Sequence, residues 1–214
     1  MIELRERFGA LMRRLGGLGD PGPLADALLD AWAAPARRYH VTAHLVDCLA
    51  RLDESPAAAD ERDLVEAALW FHDAVYDPLA DDNEARSAGW ARRGLAALGV
   101  PPRTVEEVVR LVLLTRHAAP PADPAGRLLC DIDLSILGRD PAEFDEYDRR
   151  IRAEYAAVPE AAYREGRRRV LAALLARRPL YGTGWFRERY EAAARGNLQR
   201  GLERLGSTAQ MPDG

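Results

Sequence analysis

The chain of 214 residues carries a formal charge of -4 at pH 7, and every basic side chain other than histidine is an arginine. That length suits a single domain with a sizeable core, and the acidic balance speaks against a general nucleic-acid surface or an anionic-membrane coat. With lysine absent, any phosphate-binding cation is an Arg; with only Cys48 and Cys130, in no CxxC spacing, neither a disulfide framework nor a zinc knuckle is expected. The opening MIELRERFGALMRRL mixes acids and bases among its apolar residues, unlike a signal peptide, and no run reaches the length of a membrane span. The expectation is a cytoplasmic protein without a membrane partner.

In chain order, residues 2–15 space Ile2, Leu4, Phe8, Leu11, Met12 and Leu15 along one face of a helix, which ends in the glycine-rich turn from Gly16 to Gly22. A second helix runs from about Pro23 to Ala33 and stops near Pro35. Next, Arg37-Arg38-Tyr39-His40 leads into VTAHLVDCLARL, where a helical period sets His40, His44 and Asp47 on one face at i, i+4 and i+7. The stretch Leu64 to Asp77, LVEAALWFHDAVYD, is apolar around nearly its whole circumference, so as a helix it belongs at the centre of a domain. Asp60 to Asp63 supply its acidic first turn, and Pro78 follows its end.

Asp81 to Glu84 open a further helix to about Leu98, closed by Gly99 and the pair Pro101-Pro102. Thr104 and Glu107 read as a capping box ahead of VVRLVLLTRH, which delivers His117. A proline-rich loop, AAPPADPAG, precedes the short apolar segment LLCDIDLSILG, and charge-rich helical patterns follow at about 141–158, 160–177 and 184–205. Neither strand alternation nor a phosphate loop nor a dinucleotide-binding turn interrupts the series. The expected fold class is therefore all-α, one helical domain over residues 1–205 with a disordered tail at 206–214.

His72 and Asp73 sit inside the central stretch. Burying an imidazole beside a carboxylate is costly unless each meets a hydrogen-bond partner, a counter-charge or a metal ion. The candidates are His40 and His44 upstream, and His117, Asp131 and Asp133 downstream. If His40, His72, Asp73 and Asp133 converge, they form an N/O donor set suited to Mn, Fe, Co, Zn, Ni or, with waters, Mg. Such an ion would polarise a phosphoryl oxygen and activate water near neutral pH. His44, Asp77, His117 and Asp131 are in reserve for a second ion or for hydrogen bonds to the first ligands. Taken alone, His72-Asp73 reads equally well as a hydrogen-bonded core pair, and Trp70, Phe71, Tyr39 and Tyr76 read as core or pocket wall. Asp131 and Asp133 cannot both face one way: on a helix whose core stripe is Leu128, Leu129, Ile132 and Ile136, Asp133 flanks the buried side. Asp131 then points away, placed to cap the segment or pair with Arg127.

The order of these residues resembles the HD superfamily of metal-dependent phosphohydrolases, whose pattern is a His on one helix, a His-Asp doublet on a later one and a distal Asp after an apolar residue. Here these are His40, His72-Asp73 and Ile132-Asp133, over about Tyr39 to Leu137. The phrases RYHVTAHL, LWFHDAVYD, DNEARSA, CDIDLSILG, IRAEY and ARGNLQ are similar to a group of small bacterial proteins described as predicted HD-domain phosphohydrolases, and that match extends to about Leu205. The resemblance implies an HD-like helical bundle, with a motif-bearing core at about 39–137 and additional C-terminal helices at about 138–205. It also implies a divalent ion on His40, His72, Asp73 and Asp133, with His72 and Asp73 at the reacting centre. The implied substrate is a phosphate ester or anhydride of a nucleotide-like small molecule. A non-catalytic sensor that binds a metal or nucleotide is the alternative, and a homo-oligomer is compatible with either. One departure concerns phosphate: many family members follow the doublet with Gly-Lys, whereas this chain continues Ala74-Val75-Tyr76-Asp77. Arg116 or Arg86 stands in as the cation, and Glu84 is a candidate general acid or base.

Overall fold

A computed structural model describes residues 1–206, with the backbone alone at residues 59 and 60. Among the described residues the chain is all-α, without strands, and no helix is long and apolar enough to cross a membrane. The helices are α1 (Ile2–Arg14), α2 (Gly22–Trp32), α3 (Thr42–Glu54), α4 (Ala59–Phe71), α5 (Asn83–Ala97), α6 (Pro102–Leu114), α7 (Pro124–Asp133), α8 (Pro141–Glu154), α9 (Glu160–Ala176) and α10 (Gly184–Gly206). A 3-10 turn, Leu134–Gly138, follows α7. Contacts divide them into two compact units, Met1–Asp133 and Leu134 onward. The tail expected to be disordered lies outside the described residues except for Gly206, as does the side chain of Asp60 in the expected acidic first turn.

The first unit is built on α4. Val65 and Ala67 to Phe71 are all fully buried, and α1, α3, α5, α6 and α7 pack around this helix, as its all-round apolar surface requires. Glu66, an acid buried on this helix, accepts hydrogen bonds from Arg7 Nε (2.7 Å) and Arg14 Nη2 (3.0 Å) of α1, so the charge enters the packing already compensated. Trp32, at the end of α2, is fully buried and donates its indole N–H to the Trp70 carbonyl at 3.0 Å, which docks α2 against the end of α4. Gly94 lets α5 approach α2: a Cβ there would lie 2.9 Å from Leu24 Cδ2.

Three expectations need correction. The central helix does not run to Asp77; it ends at Phe71 with His72 as C-cap, because the chain beyond finds other partners. The Leu69 and Trp70 carbonyls, which the next helical amides would need, face His72 Nδ1 and accept from Trp32; further on, the carbonyls of Asp73 and Ala74 accept from Arg37, and the Val75 amide donates to Ser87 Oγ at 3.0 Å. The capping box is not formed either. Helix α6 starts three residues earlier, with Pro101 as N-cap and Pro102 as first residue, whose ring pre-sets the helical φ and whose missing N–H is no loss in a first turn. Glu107 instead pairs with Arg110. Finally, Asp131 does not point to solvent: α7 is wrapped by α3, α4 and α6, so Asp131 is buried along with Leu128 to Ile132, while Arg127 donates to the Pro121 and Ala122 carbonyls.

In the second unit the 3-10 turn is held by side chains distant in sequence. Asn197 of α10, buried, donates to the Leu137 and Arg139 carbonyls at 2.7 and 2.8 Å, and the Tyr181 hydroxyl donates to the Leu134 carbonyl at 3.0 Å. Gly138 permits the closest approach, since a Cβ would meet the Tyr190 backbone oxygen at 2.7 Å.

Candidate metal centre

All four histidines gather at one place in the first unit, together with Asp73 and Asp133. His72 is buried at the end of α4, and its Nδ1 lies 2.8 Å from the Leu69 carbonyl. A carbonyl only accepts, so Nδ1 carries the proton and Nε2 is the nitrogen presented to the carboxylates. Asp73 follows in the turn just past α4, where His72 keeps helical backbone angles, φ -54° and ψ -40°. The turn brings Asp73 Oδ2 to 3.2 Å from His72 Nε2. Helix α3 contributes His44, whose Nε2 is 3.3 Å from His72 Nε2 and 3.4 Å from Asp133 Oδ1. Helix α7 contributes Asp133 from its last position, with Oδ1 3.6 Å from His72 Nε2 and Oδ2 2.8 Å from His117 Nε2.

These spacings fit a shared cation. Two ligands each about 2.05 Å from a tetrahedral ion stand about 3.3 Å apart. The donor atoms of His44, His72, Asp73 and Asp133 are separated by 3.2 to 3.9 Å along the edges measured here. The electrostatics agree. Burial pushes both carboxylates toward the neutral acid, yet the histidines hold them well below the ordinary carboxylate range: His72 and His40 for Asp73, and His117, His44 and His72 for Asp133. Burial likewise disfavours a charged His72, but Asp73 and Asp133 outweigh it and raise the imidazole well above its usual value. A field that draws a proton onto a buried imidazole also favours a divalent cation.

Cys48, one helical turn after His44, adds a third kind of donor. The ligand atoms of His44, Cys48 and His72, all buried, lie within 4.8 Å of one another, a cluster able to coordinate a metal ion. Burial, with Asp133 next, pushes the thiol well above its ordinary pKa. Its sulfur is nearly equidistant from the two His44 ring nitrogens, 3.7 and 3.8 Å, so it sits off the axis of the Nε2 lone pair. Joining an ion bound at that nitrogen takes a side-chain rotation. The spacing His44–Cys48, i to i+4 on the buried face of α3, is the sequence signal for this thiol.

His40 stands at the rim. Helix α3 begins only at Thr42, with Val41 extended at φ -115° and ψ 174°, so His40 precedes the helix and its Nε2 reaches Asp73 Oδ2 at 3.9 Å. Its ring stacks on Tyr76 at 4.0 Å and meets Tyr39 edge-on at 5.0 Å. His117 lies just past α6 at φ 52°, the left-handed region that disfavours a Cβ. Asp77 shapes the loop before α5: its carboxylate accepts from the Leu79 amide, and its backbone exchanges hydrogen bonds with the Asn83 side chain. Arg116 and Glu84 face each other at 3.9 Å, and Arg116 also donates to the Asp81 carbonyl at 3.4 Å. Arg86 is exposed, 3.8 Å from Asp82. No protein-family model, curated protein or solved structure matches the chain. Its own residues show an all-α protein with a buried His44, Cys48 and His72 cluster able to chelate a metal ion.

Proposed function

We propose that this chain is a metal-dependent phosphohydrolase that holds a divalent ion between His44, His72, Asp73 and Asp133 and cleaves a phosphate ester or anhydride of a nucleotide-like small molecule. One observation carries the reading: two imidazole Nε2 atoms and two carboxylates converge at ligand-edge distances, in a buried setting, with Asp73 and Asp133 still about one-sixth exposed at 17% and 16%. The substrate class comes from the resemblance of the sequence. When bound, a divalent ion supplies Lewis-acid polarisation of a phosphoryl oxygen and a water acidic enough to react near neutral pH. The chain's own residues do the rest. Leu69 fixes the His72 tautomer, His117 orients Asp133, and Trp32, packed 5.3 Å from the His72 ring, keeps water from the inner side. His40, partly exposed and 3.9 Å from Asp73, is placed to pass a proton between the site and solvent.

A sensor without turnover is the second reading, favoured by the segment after the doublet. Ala74 and Val75 replace the phosphate-contacting Gly-Lys, and their backbone groups are engaged by Arg37 and Ser87. Purified protein, loaded with each of Mn, Fe, Co, Zn, Ni and Mg and checked for metal content, is assayed on nucleotides, sugar phosphates and aryl phosphates. Turnover that chelator abolishes and added ion restores is the expected result. Full loading without turnover favours the sensor, and no loading refutes both.

A further inference from the structure

We infer that Arg37 is a positioning residue of this centre, its buried guanidinium clipping the loop that carries His40 to the turn that carries Asp73; the inference rests on the metal reading above. Arg37 is only 8% exposed. Its Nη1 donates to the Asp73 carbonyl at 2.6 Å and the His40 carbonyl at 3.1 Å, and its Nη2 donates to the Ala74 carbonyl at 2.9 Å. Two of these acceptors lie just past α4, at the negative end of its dipole. There the helix's own N–H groups have run out, so a buried cation is stabilised by the main chain itself.

The same guanidinium is framed by two rings, its carbon 5.6 Å from the Trp32 centroid and 5.7 Å from that of Tyr76. Trp32 packs on His72 and His44 at 5.3 and 6.1 Å, and Tyr76 stacks on His40. One side chain is thereby connected, by hydrogen bond or through a ring, to His40, His44, His72 and Asp73. The task needs a planar fork. Nη1 alone serves two carbonyls while Nη2 serves a third, a spread that the single ammonium nitrogen of Lys does not reproduce.

The test titrates Co(II) into full-length wild type, Arg37→Lys and Arg37→Ala, following the visible d–d absorption and competition with a chelator, with thermal melts in parallel. Orienting groups behind metal ligands are typically worth about 10–100-fold in affinity. Both variants are expected to bind Co(II) that much more weakly than wild type, with a shifted d–d spectrum, and methylguanidinium should recover part of the loss in Arg37→Ala but not in Arg37→Lys. Wild-type affinity and spectrum in either folded variant, even with a lowered melting temperature, would overturn the inference, because a merely structural role predicts that result. Should Arg37→Ala not fold, Arg37→Lys, which keeps the charge and stem, decides alone. Wild type that binds neither Co(II) nor any of Mn, Fe, Zn, Ni and Mg refutes the metal reading and the clip together; wild type that binds Co(II), beside unaltered variants, refutes only the clip.

Discussion

His44→Ala and His72→Ala should each weaken metal binding by about 100-fold or more, while His40→Ala lowers it by less than about tenfold. The difference follows from position. His44 and His72 present their Nε2 atoms to each other at 3.3 Å and to Asp133 at 3.4 and 3.6 Å, so both ring nitrogens border the same space. Removing either leaves an incomplete donor set, and a factor of 100 corresponds to roughly 2.7 kcal/mol. His40 approaches Asp73 at 3.9 Å from the rim, and its ring is already stacked on Tyr76. Its substitution should show in turnover and its pH profile more than in affinity. Competition against a chelator with Zn(II), plus elemental analysis of the purified variants, measures this. Loss of metal in His40→Ala with retention in His44→Ala would return the ion to His40, His72, Asp73 and Asp133.

A second large effect is expected at His117, where stability and binding should part. The residue sits at φ 52° while its Nε2 lies 2.8 Å from Asp133 Oδ2. A side chain in this backbone region costs on the order of 1 kcal/mol relative to glycine, and such strain persists where the surroundings fix the residue for another purpose. His117→Ala and His117→Gly both delete the hydrogen bond, and they differ in whether a Cβ is kept. The glycine variant should be more stable than the alanine variant by about 1 kcal/mol in denaturant unfolding, yet both should bind metal about tenfold or more weakly than wild type. Wild-type affinity in the two variants would mean that Asp133 needs no orienting partner.

Much of this architecture was legible because helical periodicity is a local signal. The all-α class, the central place of α4 and the turns at Gly99 and the proline-rich loop all follow from residues read within a few positions of each other. What escaped was set by partners far away in sequence. Nothing between Leu64 and Asp77 announces that Arg37 and Ser87 capture the chain after Phe71. The i, i+4 rule placed His40 and His44 on one face, but it presumes that both lie in the helix, and the extended Val41 leaves His40 outside. Asp131 was projected outward on the assumption of a helix buried along one stripe, whereas α7 is covered on several sides. The convergence of the histidines with Asp73 and Asp133 could be read from motif order, and the inner place of His44 could not.

Both thiols are nearly sealed, at 1% exposure for Cys48 and 5% for Cys130, with the Cys130 sulfur 3.6 Å from the Leu114 carbonyl. Each lies on a helix that supplies a donor to the centre, Cys48 on α3 with His44 and Cys130 on α7 with Asp133. A thiol reagent reaches them only when those helices lift, so labelling reports the breathing of two walls of the centre, without any introduced probe. A ligand that binds only the closed form slows such opening by the factor 1 + [L]/Kd. The rates at the two native sulfurs therefore reveal whether a bound ion ties α3 and α7 together or steadies one of them alone.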